Sequence, residues 1–190
     1  MVFGPIFAAV GLFFLAIFHG WQGKPHVEAV DVRVGYGFVQ RDKNQKTAFQ
    51  PAYLLPSAVV PLTRPMGPPW LRGRVEWTPE LFYMALSKPY VRSYFGITPL
   101  EFRYHLEPIG RFRPYALLGG GILYADVDRR ETESNLNFSV HLGAGTSYAI
   151  SERVSLLLEY RHIHISNGGL DKDNTGIDEN AVLGGVSIKL

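Results

Sequence analysis

The chain of 190 residues has no cysteine, which excludes disulfides and thiolate metal sites alike. It lacks a strong charge of either sign: the formal balance is +2, and no run of Lys and Arg stands out. A nucleic-acid partner is therefore not expected. Beyond Lys24 no long apolar run occurs, so no membrane-spanning helix is expected there. Neither a long amphipathic helix nor a repeat of fixed period can be read from the chain. The length is that of one domain, enough for a packed core or a small barrel.

The first 23 residues differ from the rest. They carry no Lys, Arg, Asp or Glu, and the apolar stretch from Pro5 to Phe18 has the length of a secretory hydrophobic region. An export segment over 1–23 is expected, with an uncleaved membrane anchor as the rival reading. The folded domain is expected over 24–190.

From residue 24 onward the dominant feature is alternation. Val30, Val32, Val34, Tyr36 and Phe38 are apolar, while Asp31, Arg33, Gly35 and Gly37 between them are charged or small. Successive side chains of a strand point to opposite faces, so this segment has one apolar face and one polar or small face. The same pattern runs from Leu71 to Tyr83 and from Asn137 to Tyr148. About eight strands are predicted, near 27–40, 50–60, 70–86, 90–106, 112–125, 136–150, 153–166 and 177–190. Several exceed the usual length in soluble proteins.

Two closed architectures suit eight antiparallel strands. A soluble barrel turns its apolar face inward, and an outer-membrane barrel turns it to lipid. The polar face separates them. Asp31, Arg33, Arg72, Arg74, Glu76, Glu80, Glu159 and Arg161 would fill a narrow lumen as paired charges. The expected fold is thus an all-β, eight-stranded antiparallel transmembrane β-barrel preceded by a hydrophobic export segment. With both termini in the periplasm, the loop after the seventh strand faces the cell exterior.

That loop belongs to the stretch HIHISNGGLDKDNTGIDEN, His162 to Asn180. Asp171, Asp173, Thr175 and Gly176 superficially resemble a calcium loop, but the twelfth position is Val182 where a carboxylate is required. His162 and His164 on one strand face are a weak zinc signal. No metal and no cofactor are expected. A third reading is acyl transfer. His162, His164 and Ser166 continue the apolar face of Leu156, Leu158 and Tyr160, and residues two apart rise about 6.6 Å along a strand. If His164 pairs with Asp178 across the hairpin, their side chains lie about 5 Å apart on the outer face. A neutral imidazole can take the proton of a serine hydroxyl, and a carboxylate fixes its tautomer. From spacing alone, a polar strand end at a membrane boundary accounts for the stretch better than any of these.

The residues His164-Ile165-Ser166-Asn167-x-Gly169, followed by Asn174-x-Gly176-Ile177-Asp178, resemble the signature of the PagL-like lipid A deacylases, which belong with bacterial acyloxyacyl hydrolase-like proteins. The resemblance is specific over the last thirty or so residues and loose over the strands from about residue 27. It implies an eight-stranded outer-membrane barrel that removes an ester-linked acyl chain, at the 3-position, from lipid A of lipopolysaccharide. Carried over by position, it implies Ser166 as nucleophile, His164 as base and Asp178 as the orienting acid. Asn167, Gly168 and Gly169 fall in the segment associated with the oxyanion and substrate positioning. One departure is that the best-known member has Glu where this chain has Asp178, with Glu179 as the fallback acid. A non-catalytic outer-membrane barrel serving adhesion or membrane integrity is the alternative.

Overall fold

The structure is a computed structural model and describes residues 26–39, 50–87, 92–126, 134–170 and 176–190. The expected leader, 1–23, lies outside the described residues. Nine strands follow in order: β1 (Ala29–Val39), β2 (Gln50–Pro61), β3 (Gly73–Trp77), β4 (Glu80–Ser87), β5 (Arg92–Leu106), β6 (Phe112–Asp126), β7 (Leu136–Ala149), β8 (Val154–Ser166) and β9 (Ile177–Lys189). A short 3-10 turn spans Pro69–Leu71.

Every pairing is antiparallel, and β1 pairs with both β2 and β9, so the sheet closes on itself. β3 and β4 both lie between β2 and β5 and form one stave in two pieces. The barrel therefore has eight staves, as the sequence predicts. The break falls at Thr78 and Pro79, because proline has no N–H for the ladder. Its carbonyl still accepts the Ala58 N–H at 3.1 Å. Across the wall, β5 shifts register between Ile97 and Leu100, around Pro99, whose carbonyl accepts the Trp77 indole N–H at 2.7 Å.

Closure leaves two ends. The terminal end holds the start of β1 and the end of β9. The loop end holds the β8–β9 connection that carries the candidate site. The outer wall is apolar: Val30, Val32, Val34, Tyr36, Phe38, Leu118, Val140, Leu142, Leu156, Leu158 and Tyr160 are all exposed. Such a wall suits lipid and not water.

The lumen is filled in layers. At mid-height Arg33, Arg103 and Arg161 are buried with Asp31, Glu80, Glu101 and Glu159. Arg33 donates to Glu159 at 2.8 Å and Glu80 at 2.9 Å, and Arg161 forks onto both Glu80 oxygens at 2.9 Å. Arg103 reaches Asp31 at 2.8 Å. His141 Nε2 donates to Glu101 at 3.0 Å. Taking these charges out of water is costly, so they persist only as a mutually neutralising set.

Two features depart from the expectation. First, the loop-end half of the lumen is apolar. Tyr53, Leu55, Phe82, Met84, Tyr94, Leu123, Ile163, Ile165, Ile177 and Leu183 pack there as one cluster. A lumen too narrow for bulk water is packed as a core, so apolar side chains serve inside it as well as outside.

Second, Arg72 is not in the lumen. It is about half exposed and pairs with Glu107 at 2.9 Å. The reason is that residues 62–72 fold back over the outer wall at the terminal end. Met66 and Gly73 exchange backbone hydrogen bonds of 2.7 and 3.0 Å, and Leu62 N–H donates to Val75 at 2.9 Å. Val75, expected on the lipid face, is buried beneath this segment with Val60 and Leu62, against Phe102 and Tyr104. Arg74 sits at the lumen mouth, half-buried, bridging Glu28 and Glu76.

Candidate active site on the outer wall

β8 and β9 place the candidate residues. Along β8 burial alternates: Leu157, Glu159, Arg161, Ile163 and Ile165 are inside, and Leu156, Leu158, Tyr160, His162, His164 and Ser166 are outside. The β8–β9 register sets His164 opposite Asp178 and His162 opposite Asn180. That is the pairing on which the sequence argument depended. Asp178 and Asn180 therefore share the outward face with His164, and Glu179 points into the lumen.

His164 Nδ1 donates to Asp178 Oδ1 at 2.8 Å, so the shorter aspartate side chain spans the strand pair without help from a longer acid. The two side chains remain 45% and 47% exposed, accessible from outside the barrel. Glu179 is fully buried and accepts a hydrogen bond from Tyr53 OH inside the lumen, which removes it as a partner for His164.

Gly176 fixes the other side of the imidazole. It has φ +68°, in the left-handed region, and a Cβ there would stand 3.0 Å from His164 Cε1 and 3.6 Å from Nε2. With Nδ1 held by Asp178, the ring edge carrying Nε2 is turned toward the loop end. Ser166 lies on that side, two positions further along the same face, about 6.6 Å of strand rise from His164.

Beyond Ser166 the chain turns sharply. Gly168 and Gly169 have φ of +66° and +83°. Asn167 is fully buried, and its Oδ1 accepts the Gly169 N–H at 2.9 Å, an Asx-type turn. The Gly169 N–H is thus committed within the loop, and its contribution is backbone shape. Gly168 N–H makes no hydrogen bond among the described residues. Of the six residues singled out from the sequence, His164 and Asp178 are joined by a hydrogen bond, Ser166 shares their outward face, and Asn167 is buried behind the turn that exposes Gly168 and Gly169.

Two members of the patch had no role assigned from the sequence. Asn180 Oδ1 accepts from Tyr160 OH at 2.7 Å and from His162 Nδ1 at 3.0 Å, which orients His162 beside His164. The signal was present as parity, since Asn180 is two residues from Asp178. Gly176 stood in the family signature, but its contact with His164 comes from the fold. Asp171, Asp173 and Asn174 lie outside the described residues, and with them the calcium-loop reading. Among the described residues no group of three or more His, Asp and Glu is arranged to hold a metal.

Comparison with known proteins adds the family. The lipid A 3-O-deacylase (PagL) family profile matches residues 66–187. The crystal structure of the outer membrane enzyme PagL superposes with TM-score 0.63 at 21% identity, covering 85% of this chain and 99% of that one. Neisserial surface protein A (NspA) superposes with TM-score 0.58 at 18% identity, covering 88% and 99%. At these identities the structural likenesses establish the fold. No curated protein matches the sequence. The family profile covers well over half of the chain and includes all of the β8–β9 hairpin but its last two residues, and the chain belongs to the PagL lipid A 3-O-deacylase family of bacterial outer-membrane β-barrels.

Proposed function

We propose that this protein is a serine esterase that removes the acyl chain ester-linked at the 3-position of lipid A, with Ser166 as nucleophile, His164 as general base and Asp178 as the orienting acid. The observation that carries the reading is the His164–Asp178 hydrogen bond of 2.8 Å, exposed on the outer wall beside Ser166. A hydrogen-bonded His–Asp pair exposed at the end of a wall of Leu, Val and Tyr, with a serine on the same face, is the arrangement a serine esterase needs.

Ser166 Oγ attacks the ester carbonyl as His164 Nε2 takes its proton, and Asp178 stabilises the imidazolium through Nδ1–H. The oxyanion is met at the 167–169 turn, where Gly168 N–H is the available backbone donor. Collapse breaks the bond to the sugar oxygen, which leaves as the hydroxyl after taking the proton from His164. Water then attacks the acyl-Ser166 ester, again with His164 as base, releasing the fatty acid and restoring the serine. Because the dyad faces outward at the loop end, the substrate is met from the lipid side, in the outer leaflet where lipopolysaccharide resides. Leu156, Leu158 and Tyr160 below the dyad offer the acyl chain an apolar wall.

The test is mass spectrometry of lipid A from cells expressing wild type or Ser166→Ala. Wild type should yield lipid A short by one hydroxyacyl mass, and the variant should not, with both barrels folded. Unmodified lipid A in both strains would favour a non-catalytic barrel. Equal deacylation by both would remove Ser166 from the mechanism.

A further inference from the structure

The terminal end of the lumen, opposite the candidate active site, opens into a cavity of about 280 Å³. That is far above the roughly 10–15 Å³ needed by one water. Its charge is one-sided: Arg74, Arg103, Arg111, Arg113, Arg153 and Lys189 line it against three carboxylates, Glu28, Glu76 and Glu152.

Two of the three carboxylates are already committed. Arg74 takes both Glu28 oxygens at 2.8 and 3.0 Å, and Glu76 Oε1 at 2.7 Å. The second Glu76 oxygen accepts His105 Nδ1–H at 2.7 Å. Glu152 is exposed on the β7–β8 turn. Arg113 is left 3.9 Å from Glu76, donating through Nε to the Leu106 carbonyl at 3.3 Å. Arg111 and Arg153 make no ion pair among the described residues.

Unsatisfied donors mark the same place. Arg103 is 1% exposed: it holds Asp31 through Nη1 and packs over the Tyr115 ring, Nη2 lies 3.9 Å from Glu101, and Nε and Nη2 donate no hydrogen bond, while His105 Nε2, with Nδ1–H given to Glu76, is an acceptor. Both side chains line the cavity. Buried polar groups in native proteins are normally paired, and these two Arg103 donors behind the cavity wall are not. Ser147, Ser155 and Ser187 add hydroxyls around the rim.

We infer that this mouth of the lumen is a binding site for a phosphate-class oxyanion. The surplus cations Arg111, Arg113, Arg153 and Lys189, with serine hydroxyls converging from the facing wall, suit a group with several acceptor oxygens, which arginine forks and hydroxyls satisfy together. The phosphate is either free inorganic phosphate entering the lumen or the phosphate of a phospholipid headgroup in the leaflet at that end.

The experiment uses the full chain folded in non-ionic detergent. Inorganic phosphate is titrated at constant ionic strength by calorimetry, and retention of phosphatidic acid against phosphatidylcholine is read in mixed micelles. Arg111→Gln/Arg153→Gln changes two exposed turn residues, and Arg113→Gln is the second variant. Saturable phosphate binding, weakened roughly ten-fold or more in both variants, supports the free-ion source. Selective phosphatidic acid retention lost in both variants supports the headgroup source. Binding of neither ligand, or affinities unchanged in both variants, overturns the inference. Lipid A deacylation should be equal in wild type and variants, so this site and the outer-wall site fail or stand separately.

Discussion

Gly176→Ala probes the candidate site through a single methyl group. The added Cβ would lie 3.0 Å from His164 Cε1, a few tenths of an ångström short of ordinary contact. The neighbour that must give is the imidazole, which Asp178 tethers at Nδ1. A ring pushed by that amount rotates Nε2 away from its line to Ser166. Misplacement of a reacting group by about 1 Å costs on the order of 100-fold, so a smaller shift should lower kcat roughly ten-fold and leave KM nearly unchanged. The substitution also places alanine at φ +68°, a backbone cost of about 1–2 kcal/mol. Gly110→Ala separates the two effects. Gly110 has φ +63° at the opposite end of the barrel, with nothing within 4 Å of its Cβ position. It should show the backbone cost with full activity. The assay is release of hydroxy fatty acid from lipid A in mixed micelles over a substrate range, with barrel folding followed by heat-dependent gel mobility. The His164 ¹³Cε1–¹H resonance should move in Gly176→Ala and stay in place in Gly110→Ala. A folded Gly176→Ala protein with wild-type kcat would refute the placement of His164 as the base.

Two further outcomes are expected. Asp178→Asn keeps the size of the side chain but removes the charge that favours the imidazolium. Deacylation measured in the same micelle assay should fall by roughly 10³–10⁴-fold, whereas Glu179→Gln, changed inside the lumen, should stay within a few-fold of wild type. Arg161→Ala leaves Glu80, Glu101 and Glu159 buried with too little positive charge. It should destabilise the barrel by about 3–5 kcal/mol, read from the urea midpoint in folding titrations.

Side-chain parity carried most of what the sequence made legible. Strands β1, β7 and β8 alternate cleanly because one face meets lipid and the other a polar lumen layer. From β8 and β9 the parity also placed Ser166, His164 and Asp178 on one outward surface, and the observed register of His164 with Asp178 matches it. Parity fades where both faces are apolar. Ile163 and Ile165 are as hydrophobic as their outward neighbours, so the dry loop-end core behind the site could not be distinguished from the wall. It misled at Val75 and Arg72, since no local pattern announces that residues 62–72 double back over the outer wall. The broken stave at Thr78 and Pro79 is visible as a proline, but its consequence depends on neighbouring strands. Parity puts Asn180 on the outward face and the signature includes Gly176, but what each touches depends on contacts between strands.

The most direct measurement of the central claim is covalent trapping. The folded protein is exposed to a lipophilic fluorophosphonate, and the adduct is located by peptide mass spectrometry. The account predicts one adduct, on Ser166, formed in wild type and suppressed in His164→Ala and Asp178→Asn while the barrels remain folded. An adduct on a different residue, or labelling of Ser166 that does not depend on His164, would contradict it.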